Sequence, residues 1–197
     1  MVTCILLAAG ESRRFGSPKA LAQIKGQTLI AALTQRLIAA GAGKIVVVLG
    51  ADSEQIQPRI PQNPCLAVVL NKDHLEGQTS SFKAGLEAVP QETRGVMLLP
   101  IDVPFVKKET LEALIATFME KQPLILMPTF EGNFGHPPIF SSKLIPEFKE
   151  LKNSDPLNTV QRHHADRILE IPVTDEGIRA SFNTPEEFAK INAALGF

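Results

Sequence analysis

The sequence predicts a three-layer α/β domain with a mainly parallel, twisted sheet, and three observations carry that expectation. Short apolar, β-prone runs alternate with amphipathic stretches of helical period, the pattern of βαβ units. The strand runs are apolar on both faces, as strands in a sheet covered by helices on both sides must be. At 197 residues the chain is long enough for one substantial core, and no linker, repeat or low-complexity tract divides it, so residues 1–197 read as a single domain.

The elements follow in order. Thr3–Ala8 reads as a buried strand. Leu29–Ala40 reads as a helix, with Leu29, Leu33, Leu37 and Ala40 at helical spacing and Gly41 as its stop. Lys44–Leu49 and Leu66–Leu70 are Val- and Leu-rich strands, and Thr79–Val89 suits a helix with Phe82 and Leu86 on one face. Val96–Leu99 is a short strand running into Pro100 and Asp102. Thr110–Glu120 is a helix and Leu124–Met127 a strand. The second half is less regular. Residues 129–138 carry Gly132, Gly135, Pro137 and Pro138, a loop signature, while Leu144–Leu151 suits a short helix and Ile168–Val173 a strand. Thr184, Pro185 and Glu187 spell a capping box with proline at the first helical position, opening the last helix.

Composition narrows the function classes. A formal net charge of −1 leaves no electrostatic footprint for nucleic acid or an anionic membrane. The two cysteines, Cys4 and Cys65, both fall in strand-like apolar runs and in no CxxC pair, so they read as buried reduced thiols rather than zinc or redox sites. No basic segment precedes the apolar start of the chain, and no apolar run approaches the ~20 residues of a membrane span. These features lead to the expectation of a cytoplasmic protein.

The chemistry concentrates after the first strand, in Leu7-Ala8-Ala9-Gly10-Glu11-Ser12-Arg13-Arg14-Phe15-Gly16-Ser17-Pro18-Lys19. The carboxyl end of a parallel strand is where such sheets bind ligands. Ala8, Ala9 and Gly10 let a ligand approach the backbone, Ser12 and the loop amides can donate to phosphate oxygens, and Arg14 and Lys19 bring positive charge. Neither GxxxxGK[ST] nor GxGxxG fits this segment. A surface turn with solvated arginines is the plain alternative. The density of Gly, Ser, Arg and Lys directly behind the strand favours a phosphate site.

This segment resembles the LAAGxSxRMGxxK signature of the MobA-like nucleotidyltransferases: Leu7, Ala8, Ala9, Gly10, Ser12, Arg14, Gly16 and Lys19 match, and Phe15 stands where Met is usual. Further landmarks occur in family order. Gly26–Leu29 resembles the Gly-x-x-Leu entering the first helix. Asn71 and Gly77-Gln78-Thr79-Ser80-Ser81-Phe82 resemble the nucleotide-side loop. Asp102-Val103-Pro104 resembles the metal-binding Asp-x-Pro. Gly135-His136-Pro137 resembles the acceptor-side motif of the molybdopterin cytidylyltransferase branch, and Asn183-Thr184-Pro185-Glu186-Glu187 the C-terminal NTPEE segment.

The resemblance implies a Rossmann-like fold of the nucleotide-diphospho-sugar transferase type, a nucleoside triphosphate substrate and Mg²⁺. It implies Arg14, Lys19 and Asp102 as catalytic residues. Leu7, Ala8, Ala9, Gly10, Ser12, Asn71, Gly77, Ser80 and Ser81 would bind the nucleotide, Gly135 and His136 the acceptor, and Asp102 and Asn183 the metal. Asn183 could equally serve only the backbone before the helix cap, and the cytidylyltransferase branch often has Asp at positions 181 and 183, where this chain has Ser181 and Asn183. His136 could act as a base, contact the acceptor or merely order its loop; His74, His163 and His164 carry no special claim.

Ala9, where guanylyltransferases usually have glycine, points to CTP, its methyl being expected to narrow the base site. The implied acceptor is a molybdopterin-type phosphate, and a target molybdoenzyme or its chaperone the implied protein partner. GTP, a sugar phosphate acceptor, or a non-catalytic carrier of a pterin cofactor are the alternatives this reading leaves open.

Overall fold

The computed structural model describes residues 1–197. At its centre is β1 (Val2–Ala8), with all seven residues buried. A short hairpin of β2 (Gln23–Ile24) and β3 (Gln27–Thr28) leads into α1 (Leu29–Ala39), β4 (Lys44–Leu49), the single-turn α2 (Ser53–Ile56) and β5 (Leu66–Leu70). Next come α3 (Gln78–Leu86), β6 (Gly95–Pro100), α4 (Lys108–Lys121) and β7 (Ile125–Phe130). The chain ends with β8 (Asn133–Phe134), β9 (Ile139–Ser141), α5 (Ile145–Glu150), α6 (Asn158–His163), β10 (Ile168–Pro172) and α7 (Pro185–Leu195).

Eight strands form one sheet in the order β10-β7-β9-β6-β1-β4-β5, with β8 pairing on β7. β1 is parallel to both β4 and β6, so that Cys4 faces Ile45 on one side and Met97 on the other. β4–β5 and β7–β10 are also parallel, whereas β9 runs antiparallel to β6 and β7. From β1 the chain builds outward through β4 and β5, then returns to place β6 on the opposite side of β1. The loops leaving β1 and β6 therefore diverge, and the crevice between them is the switch point at which open α/β sheets bind ligands.

Alternate residues of β1 enter two cores. Cys4, Leu6 and Ala8 join a cluster with Leu33 and Leu37 of α1, Leu114 and Phe118 of α4, and Phe188 of α7. Ile5, Leu7 and the following Ala9 join a second with Phe82 and Leu86 of α3, Phe148 of α5 and Val160 of α6. Burying one such Leu or Phe side chain contributes about 1.5–3 kcal/mol, and the two clusters make the three layers. Burial also pushes the Cys4 thiol far above its ordinary pKa, which keeps it protonated.

The long elements lie where the sequence places them, within one to three residues at their ends. The capping box of α7 is formed: Thr184 Oγ1 accepts from the Glu187 amide at 3.3 Å and Glu187 Oε2 accepts from the Thr184 amide at 3.3 Å. Gly41 ends α1 with φ +83°. Two expectations change. Residues 129–138 are not all loop, since β7 runs on to Phe130 and turns back through β8. Cys65 is half-buried in the turn before β5 rather than in the strand. α2, α6, β9 and the β2–β3 hairpin are too short to leave a readable period. No helix is long and apolar enough to cross a membrane.

One buried carboxylate ties the C-terminal segment to α4. Asp175, 3% exposed, accepts from the Lys107 amide at 2.8 Å, Thr110 Oγ1 at 2.7 Å and the Gly177 amide at 3.0 Å. It caps the start of α4 from 65 residues away in sequence, satisfying the Lys107 amide, which has no partner within the helix. Asp175→Ala leaves three donors without an acceptor and is expected to lower the unfolding free energy by about 3 kcal/mol in urea titration. Asp175→Asn, which keeps a carbonyl oxygen, should lose roughly half as much; equal losses in the two variants would show that the carboxylate's bonds are not what matters.

Candidate active site in the crevice between β1 and β6

The loop after β1 is held in shape by its own serine. Ser12 takes a left-handed backbone, φ +52°, and its carbonyl accepts from the amides of Phe15 at 2.8 Å and Gly16 at 3.2 Å. Its hydroxyl accepts from the Lys19 amide at 3.1 Å. In this state Ser12 shapes the loop and fixes where Lys19 starts. Phe15 packs edge-on against Phe182 and Phe188, with centroids 5.4 and 6.1 Å apart. An aromatic ring at this position thus bolts the loop to α7 and the segment before it.

Lys19 then crosses the crevice. Its side chain is 12% exposed, and its ammonium donates to the Phe182 carbonyl at 2.7 Å and to Asn183 Oδ1 at 3.1 Å, with Asp102 Oδ2 at 3.5 Å. Arg14 donates to the same Asn183 oxygen at 3.0 Å. Asp102 follows β6, and its carbonyl accepts from the Phe182 amide at 3.1 Å. Three segments far apart in sequence therefore meet at one ammonium: the loop after β1, the loop after β6, and the residues before α7. Arg14, Lys19, Asp102 and Asn183, four candidates of the sequence, come together here.

Asp102 Oδ2 and Asn183 Oδ1 already share one cation, Lys19 Nζ. Both are hard oxygen donors, suited to Mg²⁺ or Mn²⁺ completed by phosphate oxygens and water. Nowhere do three or more His, Cys, Asp or Glu side chains gather as a metal cluster. A divalent ion here would depend on a single carboxylate, an amide and its substrate.

Two cavities lie near the crevice, one at the crossing point and one adjoining it through a shared wall at Gly77 and Gln78. One, of about 260 Å³, is bordered by Leu7, Ala8, Ala9, Gly10, Ser12 and Lys19, and on its other wall by Gly77, Ser81 and Asp102. Ala9 is 4% exposed and packs within the cluster on the α3 side of the sheet. Ala9 is thus at once a wall residue of this cavity and part of the core beneath it. His74, which carries no sequence motif, also borders it.

Asn71 and Ser80 lie beneath this wall. Asn71 Nδ2 donates to the hydroxyls of Ser80 and Ser81 at 3.0 Å each, and Ser80 donates to the carbonyls of Asp73 and Gly77 at 2.9 Å. These buried bonds hold the turn at Gly77, whose φ of +108° is open to glycine and strained for other residues. Of the three polar residues, Ser81 reaches the cavity wall and Asn71 and Ser80 support it.

The second cavity, of about 600 Å³, is bordered by Gly135 and His136, by Gln78, and by Asn153, Asn158 and Gln161. Leu98, Met127 and Phe140 add apolar surface to it. Burial pushes the His136 imidazole below its ordinary pKa, against the opposing effects of Asp102 and a hydrogen bond to the Leu98 backbone. It is neutral at neutral pH, and its Nδ1 is buried without a partner. His163 and His164 instead pair with Glu147, at 2.8 and 2.7 Å, and hold Glu147 below the usual carboxylate range against the desolvation that would raise it. Sequence reading missed Gln78, which borders both cavities though it sits inside a recognised motif, and the polar run 153–161, which belongs to none.

The profile of the MobA-like NTP transferase domain matches residues 4–168. Nicotine blue oxidoreductase of Paenarthrobacter nicotinovorans is 32% identical over 117 residues, 59% of this chain and 56% of that protein, so the chain spans about half the length of that relative. The purine catabolism protein PucB of Bacillus subtilis is 26% identical over 203 residues, covering 97% of this chain and 96% of PucB. Among solved structures, Rv0371c of Mycobacterium tuberculosis superimposes with a TM-score of 0.82 at 23% identity, covering 96% of each chain. A complex of Rv0371c with manganese superimposes at 0.76, covering 96% of this chain and 97% of the other. With the crevice, its loop and its crossing lysine inside the matched span, the chain belongs to the MobA-like NTP transferase family, the nucleotidyltransferases that share this fold.

Proposed function

We propose that the protein moves CMP from CTP onto a phosphorylated acceptor, with a molybdopterin-type phosphate as the acceptor, and releases pyrophosphate. The observation that carries this reading is the meeting of Lys19, Arg14, Asp102 and Asn183 beside a small cavity that shares the Gly77–Gln78 wall with a large one. The small cavity would take the nucleotide and the large one the acceptor body, so the reacting phosphates would meet where the charges are.

In the reaction an oxygen of the acceptor phosphate bonds to the α-phosphorus of the triphosphate, and the bond to the β-phosphate oxygen breaks with its electrons leaving on pyrophosphate. The attacking group is already an anion, so no strong general base is required, which fits a site whose partly buried His136 is neutral. Positioning and charge neutralisation do the work. Lys19 and Arg14 would turn from the Asn183 oxygen to the triphosphate and stabilise the leaving pyrophosphate. Asp102 and Asn183 would hold Mg²⁺, which when bound neutralises the phosphate charge that develops.

CTP is favoured over GTP because the nucleotide cavity, about 260 Å³, lies below the ~300–1,000 Å³ usual for ligand sites and suits the smaller base. The amide-rich wall of the large cavity (Gln78, Asn153, Asn158, Gln161) offers donors and acceptors to a neutral heterocycle.

Three outcomes are expected. Lys19→Ala lowers turnover at least about ten-fold, or about 1.4 kcal/mol of transition-state stabilisation, while the circular dichroism spectrum is unchanged; wild-type turnover would refute the role. Asp102→Asn abolishes Mg²⁺-dependent pyrophosphate release, and an unchanged Mg²⁺ titration in that variant would mean another ligand. With molybdopterin as acceptor, kcat/KM for CTP exceeds that for GTP by about ten-fold or more; equal use of the two triphosphates would sink the cytidylyl reading.

A further inference from the structure

The short segment from Ile178 to Phe182 is pinned at both ends. The Ile178 carbonyl accepts from the His136 amide at 2.7 Å, and the Phe182 amide donates to the Asp102 carbonyl at 3.1 Å. The segment therefore spans from the wall of the large cavity to the crossing point of the crevice. Arg179 lies on it, exposed, and its guanidinium makes neither an ion pair nor a hydrogen bond within the chain. A third cavity of about 330 Å³ lies against it, bordered also by Asp102, His136 and Gln78. This third space shares Gly135 and His136 with the large cavity and Pro100 and Asp102 with the small one, so it adjoins both and offers a passage from one to the other.

The placement of charge around the passage is uneven. No Lys or Arg borders the large cavity, and Lys19 is the one Lys or Arg bordering the small one. The carboxylates of the large cavity are both engaged at the end bordered by the 153–155 turn: Asn153 Nδ2 donates to Glu76, and the Lys152 amide donates to Asp155 Oδ2 at 3.0 Å. A phosphorylated acceptor lying in the large cavity is repelled from that end. It must also bring its phosphate toward a triphosphate of like charge, and Lys19 and Arg14 are on the triphosphate's side of the crevice. A guanidinium at the passage supplies the missing counter-charge, in a fork that matches two phosphate oxygens.

We propose that Arg179 binds the phosphate of the acceptor and delivers it to the crossing point, so that the acceptor is a phosphomonoester whose remaining body is neutral and rich in hydrogen-bonding groups. This rests on the reading that the large cavity receives the acceptor. Arg179 does not touch the nucleotide, so its loss is felt on one substrate only.

The test compares Arg179→Gln and Arg179→Lys with the wild type. In steady-state transfer from CTP, Arg179→Gln should raise the KM for molybdopterin about ten-fold and leave the KM for CTP unchanged, with partial recovery in Arg179→Lys. A rise in both KM values, or in neither, overturns the proposal. In a second arm, inorganic phosphate is titrated calorimetrically into protein saturated with a methylene-bridged nucleoside triphosphate and Mg²⁺, which fills the Lys19 side. Arg179→Gln should weaken phosphate binding by about ten-fold, and equal affinity in the variant overturns the proposal. If the wild type transfers nothing from CTP to molybdopterin, the proposed function fails, and the phosphate titration alone then decides the role of Arg179.

Discussion

The rest of the site depends on the ammonium of Lys19 and the three oxygens that face it. The Phe182 carbonyl, the Asn183 amide oxygen and the Asp102 carboxylate approach one another although they belong to two separate segments. Without a cation between them, a carboxylate and two partial negative charges would repel in a half-buried space. The lysine turns that repulsion into attachment. It joins the loop after β1 to the loop after β6 and to the entry of α7, and the ring packing of Phe15 on Phe182 and Phe188 adds apolar weight to the same joint.

That joint closes what the topology opens. Because β6 returns to the far side of β1, the two loops leave the sheet in opposite directions, and only contacts across the crevice determine how wide it stands. Ser12 fixes the start of the crossing lysine through its backbone amide. Asp175, by holding the 175–177 turn against the start of α4, fixes the segment from which Phe182, Asn183 and Arg179 are presented. Residues that never face a ligand thus set the distances between those proposed to do so.

The sheet and the main helices were legible because each is long enough to show a period or a doubly apolar run, and because Gly41 and the Thr184 capping box mark their ends. The glycine-rich loop was legible from position and residue type together, directly behind the first strand. What the sequence concealed was which side of a residue faces the crevice. Ala9 lies in the motif and borders the small cavity, yet it is also packed into the core. Asn71 and Ser80 lie in another motif, and their polar atoms are spent on the turn at Gly77. Arg179, His74 and Asn153 lie in no motif and border the cavities. Motif membership records that a neighbourhood is constrained; whether a side chain is wall or support depends on pairings across the sheet that no local pattern carries.

Two of the oxygens that hold the lysine, those of Asp102 and Asn183, are also those proposed to hold a divalent ion, and the two uses are linked. An ammonium brings one positive charge to three oxygens. A triphosphate entering beside it carries several negative charges and offers Lys19 oxygens of far greater charge density than a backbone carbonyl and an amide. On the proposed reading the lysine is drawn onto the phosphates, which leaves Asp102 and Asn183 in need of another cation at the moment when the nucleotide can share one with them. As proposed ligands, one carboxylate and one amide already facing Lys19 would offer little to a bare divalent ion. On that reading the departure of Lys19 from Asn183 would free Asp102 and Asn183 to hold a divalent ion, which would supply counter-charge to the phosphates.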